Sequence, residues 1–227
     1  MPKRSFYFSK AEILLWTCSV VAILISFFVF DRINILVLFA SLIGVTSLLL
    51  NAKGNLIGQA LMIVFSIMYG IVSYSFAYYG EMITYLGMTL PMSLFAFVSW
   101  LRHPYHGKKH EVAVNNIKSK ELLFLSVITA VVTTAFYFIL KVFHTTNLIP
   151  STLSVTTSFL AVYLTFRRSP FFALAYAAND IVLIVLWILA SIEEIRYVSV
   201  VICFVVFLLN DIYGFVSWLR MKQRQRS

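Results

Sequence analysis

Eight stretches of about 20 residues each, almost free of charge, follow one another through this chain, and each is long enough to cross a hydrocarbon layer as a helix. They are Ala11–Phe30, Ile33–Leu50, Leu56–Tyr78, Met82–Leu101, Leu122–Phe143, Leu148–Phe166, Phe171–Ile192 and Tyr197–Leu219. Of the 227 residues, 61% are hydrophobic and only 12% charged, with a mean hydropathy of +0.90. A water-soluble fold of this size must wet its exterior and cannot hide so much apolar surface. Disorder is excluded by the same numbers. A disulfide-stapled domain is excluded by the cysteine count of two, Cys18 and Cys203, both inside predicted helices. Continuous apolar runs also argue against a barrel, whose strands alternate. The fold class is all-α, integral to a membrane, with no room for a soluble domain.

The breaks between runs carry turn or charge signals: Asp31-Arg32, Asn51–Asn55, Gly80-Glu81, Arg102–Lys120, His144–Asn147, Arg167–Pro170 and Glu193–Arg196. Only Arg102–Lys120 is long enough to be a linker. The first run has a basic start but fills a whole membrane thickness, and no small-x-small site precedes Asp31, so it is expected to be a retained helix. With a cytoplasmic N-terminus, the inner segments hold all of the 18 Lys and Arg residues except Arg32, Lys141 and Arg196. Asp31, Glu81, Glu193 and Glu194 fall outside. This positive-inside bias accounts for the net charge of +9 without any nucleic acid. Arg220–Arg226 is expected to hold the last helix to anionic headgroups. Both termini are placed in the cytoplasm.

The fourth run ends in Phe97-Val98-Ser99-Trp100-Leu101-Arg102 and the eighth in Phe215-Val216-Ser217-Trp218-Leu219-Arg220. Trp and Arg anchor helices at a membrane boundary in any case, but anchoring does not require the whole hexapeptide to recur. Two three-helix units follow, helices 2–4 and helices 6–8. Both end on the same side, so they are parallel repeats and need an odd number of helices between them. The plan is 1+3+1+3: a leading helix over 11–30, repeat one over 33–102, a cytoplasmic loop with a linker helix over 103–147, repeat two over 148–220 and a basic tail over 221–227. In transporters of parallel repeats the substrate site lies between the repeats near mid-membrane.

Ionisable side chains cost roughly 2.5–3.5 kcal/mol at the centre of an inserted helix, so they mark a cavity or a partner. Two occur here, each behind an asparagine: Asn179-Asp180 and Asn210-Asp211. Trp187 shares the Asp180 face two turns on. In repeat one, helix 3 offers Gln59, Ser66 and Tyr69, and helix 4 offers Tyr85 and Thr89. No Lys or Arg lies deep in any run. The aspartates are therefore protonated, bonded to amides and hydroxyls, or facing a cation. Amides with aromatics suit a small polar aromatic ligand, and a carboxylate near an aromatic suits a cation. Helix-to-helix hydrogen bonding is the alternative role for such residues. Most of the 21 Phe and 12 Tyr read as lipid-facing filler.

Enzyme readings fail on the residues. The two aspartates lack the Gly-x-Gly-Asp frame of an intramembrane protease. His103, His106 and His110 have a plausible ligand spacing, but their loop has no Cys and one acid, Glu111, so it reads as a solvated basic loop rather than a metal site. There is no phosphate-cradling glycine loop and no Gly-x-Ser-x-Gly.

Between about Ile33 and Arg220 the sequence resembles the PnuC family of vitamin transporters, most clearly in Ala52–Gln59, Tyr78–Ile83, Asn210–Phe215 and Asn179-Asp180 with Trp187. The resemblance implies a fold like that of the SWEET sugar carriers with an added leading helix, a homotrimer in the plasma membrane, and no cofactor. It implies uptake of nicotinamide riboside, a pyridinium nucleoside and NAD precursor, by facilitated diffusion, with a cytosolic kinase trapping the substrate as its phosphate. It places Gln59, Asn179, Trp187 and Asn210 around the ligand, with Ser66, Tyr69, Asp180 and Asp211 completing the candidate site. Similar proteins carry thiamine or riboflavin, and a membrane binding subunit of an energised importer is the alternative from another class.

Overall fold

Ser9 starts the first helix. Its hydroxyl accepts from the Glu12 N–H while the Glu12 carboxylate accepts from the Ser9 N–H, a capping box. The computed structural model describes residues 7–76, 78–145 and 147–227. Lys3 and Arg4 of the inner basic set, Ala77 of the third run and Thr146 of the fifth break lie outside the described residues.

Eight helices long and apolar enough to cross a membrane are present. They are α1 (Lys10–Phe30), α2 (Ile35–Ala52), α3 (Leu56–Ser75), α4 (Tyr79–Arg102), α5 (Ser119–Val142), α6 (Leu148–Phe166), α7 (Phe171–Glu193) and α8 (Val198–Arg224, entered through a 3-10 turn, Ile195–Tyr197). The expected all-α membrane class is what the chain adopts. Apart from α4 and α5, neighbours in sequence pack as neighbours in space, and two contacts cross between the halves, α2 with α8 and α4 with α6. α1 lies against α2 and α8, and α5 against α6.

Three boundaries differ from the sequence reading. Gly80-Glu81 is not a break but the first turn of α4, and a Cβ on Gly80 would come within 2.5 Å of Thr145, so glycine is there for a close approach. The linker is not all loop. β1 (Pro104–Tyr105) and β2 (Lys108–Val112) form an antiparallel hairpin turned by His106 and Gly107, both at positive φ (46° and 71°), which suits a two-residue hairpin turn. The tail stays helical to Arg224, where Lys222 and Arg224 meet the negative helix end.

Inside α4, Tyr85–Thr89 winds as a π-helix. Pro91 has no N–H to continue the ladder, and the Leu90 N–H reaches back to the Tyr85 carbonyl instead. π segments inside α-helices are frequent at functional sites, and this one carries Tyr85 and Thr89.

The recurring hexapeptide has a structural task. The Trp100 indole N–H donates to the Thr165 carbonyl (2.9 Å) and the Ser99 hydroxyl to the Phe166 carbonyl (2.8 Å), at the end of α6. The Trp218 indole donates to the Asn51 carbonyl (2.7 Å) and the Ser217 hydroxyl to the Ala52 carbonyl (2.7 Å), at the end of α2. These carbonyls lie in the last turn, beyond the reach of an i+4 N–H; those of Asn51 and Thr165 also accept from the Gly54 and Arg168 N–H groups of the turns (2.9 Å each). Each three-helix segment thus caps the other's first helix. The turns beyond match as well. Gly54 (φ 66°) and Arg168 (φ 56°) are left-handed, and the Asn55 and Ser169 N–H groups reach back 3.0 Å to the Leu50 and Leu164 carbonyls, as in a Schellman ending. The Trp100 and Trp218 rings meet at 5.4 Å, with Phe172 4.9 Å from Trp218. The hairpin closes over them, as the Val112 and Asn115 N–H groups donate to the Gly54 and Arg168 carbonyls. Burial lowers the Arg168 guanidinium from its ordinary value, and Arg167 beside it adds to this.

Gly58 permits the tight α2–α3 contact. A Cβ there would sit 2.4 Å from Asn51 Oδ1 and 2.7 Å from the Asn51 backbone nitrogen. Gly58→Ala is expected to push the helices apart at a cost of about 1–3 kcal/mol, seen as a lower melting temperature in detergent.

Candidate functional site

At the meeting of α2, α3, α4, α7 and α8 lies a cavity of about 20 Å³, room for one ordered water. Its walls are Gly44 and Leu48 of α2, Met62 and Phe65 of α3, Tyr85 and Thr89 of the π segment, Tyr176, Asn179 and Asp180 of α7, and Phe204, Phe207 and Asp211 of α8. Asp180 lies nine residues beyond the start of α7, about 14 Å along the axis at 1.5 Å per residue, near mid-membrane. A smaller cavity next to it shares Phe65 and Phe204 and is also lined by Ser41, Tyr69 and Cys203.

Asp180 and Asp211 are both buried and present their carboxyls to this one cavity. Asn179 is held by its oxygen, which accepts from the Thr157 and Ser158 hydroxyls of α6 (2.8 and 3.0 Å). Its NH2 end has no partner among the described residues and is left to serve the cavity. The Thr89 hydroxyl likewise has no partner. Aromatic rings wall the space. Phe65 lies 5.5 Å from Phe207 and 6.1 Å from Tyr85, and Tyr85 lies 4.3 Å from Tyr69.

Aromatic clusters cover both ends. On the hairpin side stand Trp100, Trp218 and Phe172. On the other, fully buried Trp187 donates to the Tyr69 hydroxyl (2.7 Å), with Tyr78 at 4.8 Å and Tyr197 at 5.6 Å. Burial, with Glu193 nearby, pushes the Tyr78 phenol up to about 12, so it stays neutral there.

The eight sequence-selected residues do not all gather. Asn179, Asp180 and Asp211 line the cavity, Tyr69 lines its neighbour, and Trp187 stands behind Tyr69. Ser66 is buried, with its hydroxyl on the Met62 carbonyl of its own helix. Gln59 donates to Asn51 Oδ1 (2.9 Å) near the start of α3 and braces α2. Asn210 is buried, but its amide donates to Ser19 of α1 (3.0 Å) and to the Val206 carbonyl. Successive helix residues point about 100° apart, and in α8 it is Asp211, not Asn210, that faces the cavity.

Sequence reasoning missed Tyr176, the α6 hydroxyls and the phenylalanine wall, which is core and not lipid-facing filler. It also read Glu81 as part of a break rather than of the fourth helix. Glu81 is 1% exposed, with Oε2 3.4 Å from the Ser154 hydroxyl and Oε1 without a partner among the described residues. Its signal was the amphipathic spacing of α4 carried one turn further toward the N-terminus. No group of three or more His, Cys, Asp and Glu suited to a metal ion occurs among the described residues.

The comparisons agree with this architecture. Residues 34–220 match the family model described as nicotinamide mononucleotide transporter. The nicotinamide riboside transporter PnuC of Neisseria mucosa is 26% identical over 204 residues, 87% of this chain and 76% of that protein. A structure titled as the crystal structure of the vitamin B3 transporter PnuC superimposes with a TM-score of 0.82 at 22% identity, over 96% of this chain and 94% of that one. The chain belongs to the nicotinamide mononucleotide transporter family, in which PnuC falls, and is a multi-pass membrane transporter, not an enzyme.

Proposed function

We propose that the protein takes up nicotinamide riboside by facilitated diffusion, a cytosolic kinase then trapping it as its phosphate. The observation that carries this reading is the mid-depth cavity, where aromatic faces, a free amide NH2 and a pair of carboxyls converge from both halves of the chain. Rings stack on a pyridinium face, and an amide pairs with its carboxamide. The cavity walls include no Lys or Arg, so the phosphate of a mononucleotide would meet two carboxyls and no counter-charge. That favours the nucleoside over the nucleotide. The name of the Neisseria mucosa relative supports the same substrate.

Transport would proceed by rocking of two parallel units, α2–α4 and α6–α8, around this site, a motion that has to widen the cavity from room for one water to room for the substrate. The reciprocal capping by Ser99-Trp100 and Ser217-Trp218 supports that division. The same reading puts the protein in the plasma membrane with both termini cytoplasmic, following its positive-inside bias. It also takes the protein to be a homotrimer.

The test is a thermal-shift titration of the purified protein with nicotinamide riboside, thiamine and riboflavin. Nicotinamide riboside alone is expected to raise the melting temperature. Asn179→Ala is expected to weaken it tenfold or more, about 1.4 kcal/mol. A response to thiamine or riboflavin instead would overturn the substrate. An unchanged affinity in Asn179→Ala would overturn the site.

A further inference from the structure

Asp180 and Asp211 are each 4% exposed, at the depth where a carboxylate is most expensive. No lysine or arginine bonds either of them among the described residues. Among the described residues Asp180 Oδ2 has no hydrogen-bond partner, and neither has the Thr89 hydroxyl, itself 3% exposed and lining the same cavity. An apolar pair would fill this space at less cost, and an unpaired buried carboxyl is tolerated where something arrives to satisfy it. Two carboxyls buried in one desolvated cavity do not both ionise. An arriving cation stabilises the charged form of one of them, whose proton passes to water, and the pair then faces the cation with one negative charge. Tyr85, Tyr176 and Phe65 set ring faces around it, the surroundings that favour an organic cation over a hydrated metal ion.

We propose that the Asp180–Asp211 pair is the charge selector of this carrier: its single negative charge recognises a planar ring cation and rejects neutral or anionic rings of the same shape. The inference rests on the nicotinamide riboside reading and adds what discriminates within it. Thr89 and the Asn179 amide contact the polar edge of the substrate, while the carboxyl pair reads only its charge.

The test compares nicotinamide riboside with its 1,4-dihydro form, which has the same ribose and carboxamide but an uncharged ring. Binding is measured by calorimetry on the full chain in detergent. The wild type is expected to bind the cation at least tenfold more tightly than the dihydro form. D180N/D211N is expected to bind the two forms alike, and its retained binding of the dihydro form reports an intact fold. Each single variant keeps one ionisable carboxyl and part of the preference. Should the double variant not fold, the preference must fall in at least one single variant. Equal binding of both forms by the wild type, or an unaltered preference in the variants, overturns the selector while leaving nicotinamide riboside as substrate. Failure of the wild type to bind either form overturns the substrate reading and the selector with it.

Discussion

Replacing Trp100 and Trp218 together by phenylalanine is expected to open the hairpin end of the bundle. Phenylalanine keeps most of the ring contact between the two positions and Phe172 but removes both indole donors. The Thr165 and Asn51 carbonyls then lose their indole partners and keep only the Arg168 and Gly54 N–H groups of the turns (2.9 Å each). A hydrogen bond is worth about 0.5–1.5 kcal/mol net, so the pair contributes about 1–3 kcal/mol to the closed form. Alternate conformations of a carrier differ by only a few kcal/mol, and each 1.4 kcal/mol shifts their ratio about tenfold. A cysteine placed at Thr89, with Cys18 and Cys203 replaced by serine, reads the outcome, because Thr89 lines the cavity. Its labelling by an aqueous maleimide should accelerate at least tenfold in the double variant. Ser99→Ala with Ser217→Ala should act in the same direction but less, since a small hydroxyl leaves room for water to replace it. Labelling and melting temperature both equal to wild type would remove the gating role of these bonds.

The reciprocal caps show what a sequence can and cannot disclose about such a fold. Span positions were legible because the bilayer enforces a length, and charge fixed where the spans stop. The hexapeptide's recurrence was also legible, although its bonds were not: hydrogen-bond partners 65 and 167 residues away leave no local trace. Asp180 and Asp211 stood out because charge is rare at depth. Asn210 stood out as a polar amide at depth and yet turned to α1, because a helix of this kind is apolar on every side and gives no amphipathic stripe to set its rotation. Gln59 went to Asn51 for a related reason, since near a helix end a polar side chain can satisfy a neighbouring helix as readily as a ligand. The phenylalanine wall was hidden by chemistry: a Phe that faces lipid and a Phe that faces a cavity look alike in sequence. Pro91 was visible, but whether it would kink, stop or widen α4 depended on packing from α3 and α6.

Trp187 carries the largest single-residue effect expected here. Its indole is fully buried, donates to the Tyr69 hydroxyl at 2.7 Å, and packs against Tyr78, Phe76 and Tyr197 at the end opposite the hairpin. Trp187→Ala removes that whole side chain, and truncations of this kind cost about 3–5 kcal/mol. The space left would adjoin the cavity lined by Tyr69 and Cys203, so the loss should lower the melting temperature and abolish the response to nicotinamide riboside together. Trp187→Phe separates the two roles. It keeps an aromatic plug but leaves the Tyr69 hydroxyl to find another partner, so the fold should hold while affinity falls. In a cycle with Tyr69→Phe, the double variant should lose less than the sum of the single losses, because both singles break one bond; coupling within such contacts runs to about 0.5–3 kcal/mol. Additive losses would mean that the bond does not position Tyr69, and Trp187→Ala melting like the wild type would mean that this aromatic plug is not part of the closed carrier at all.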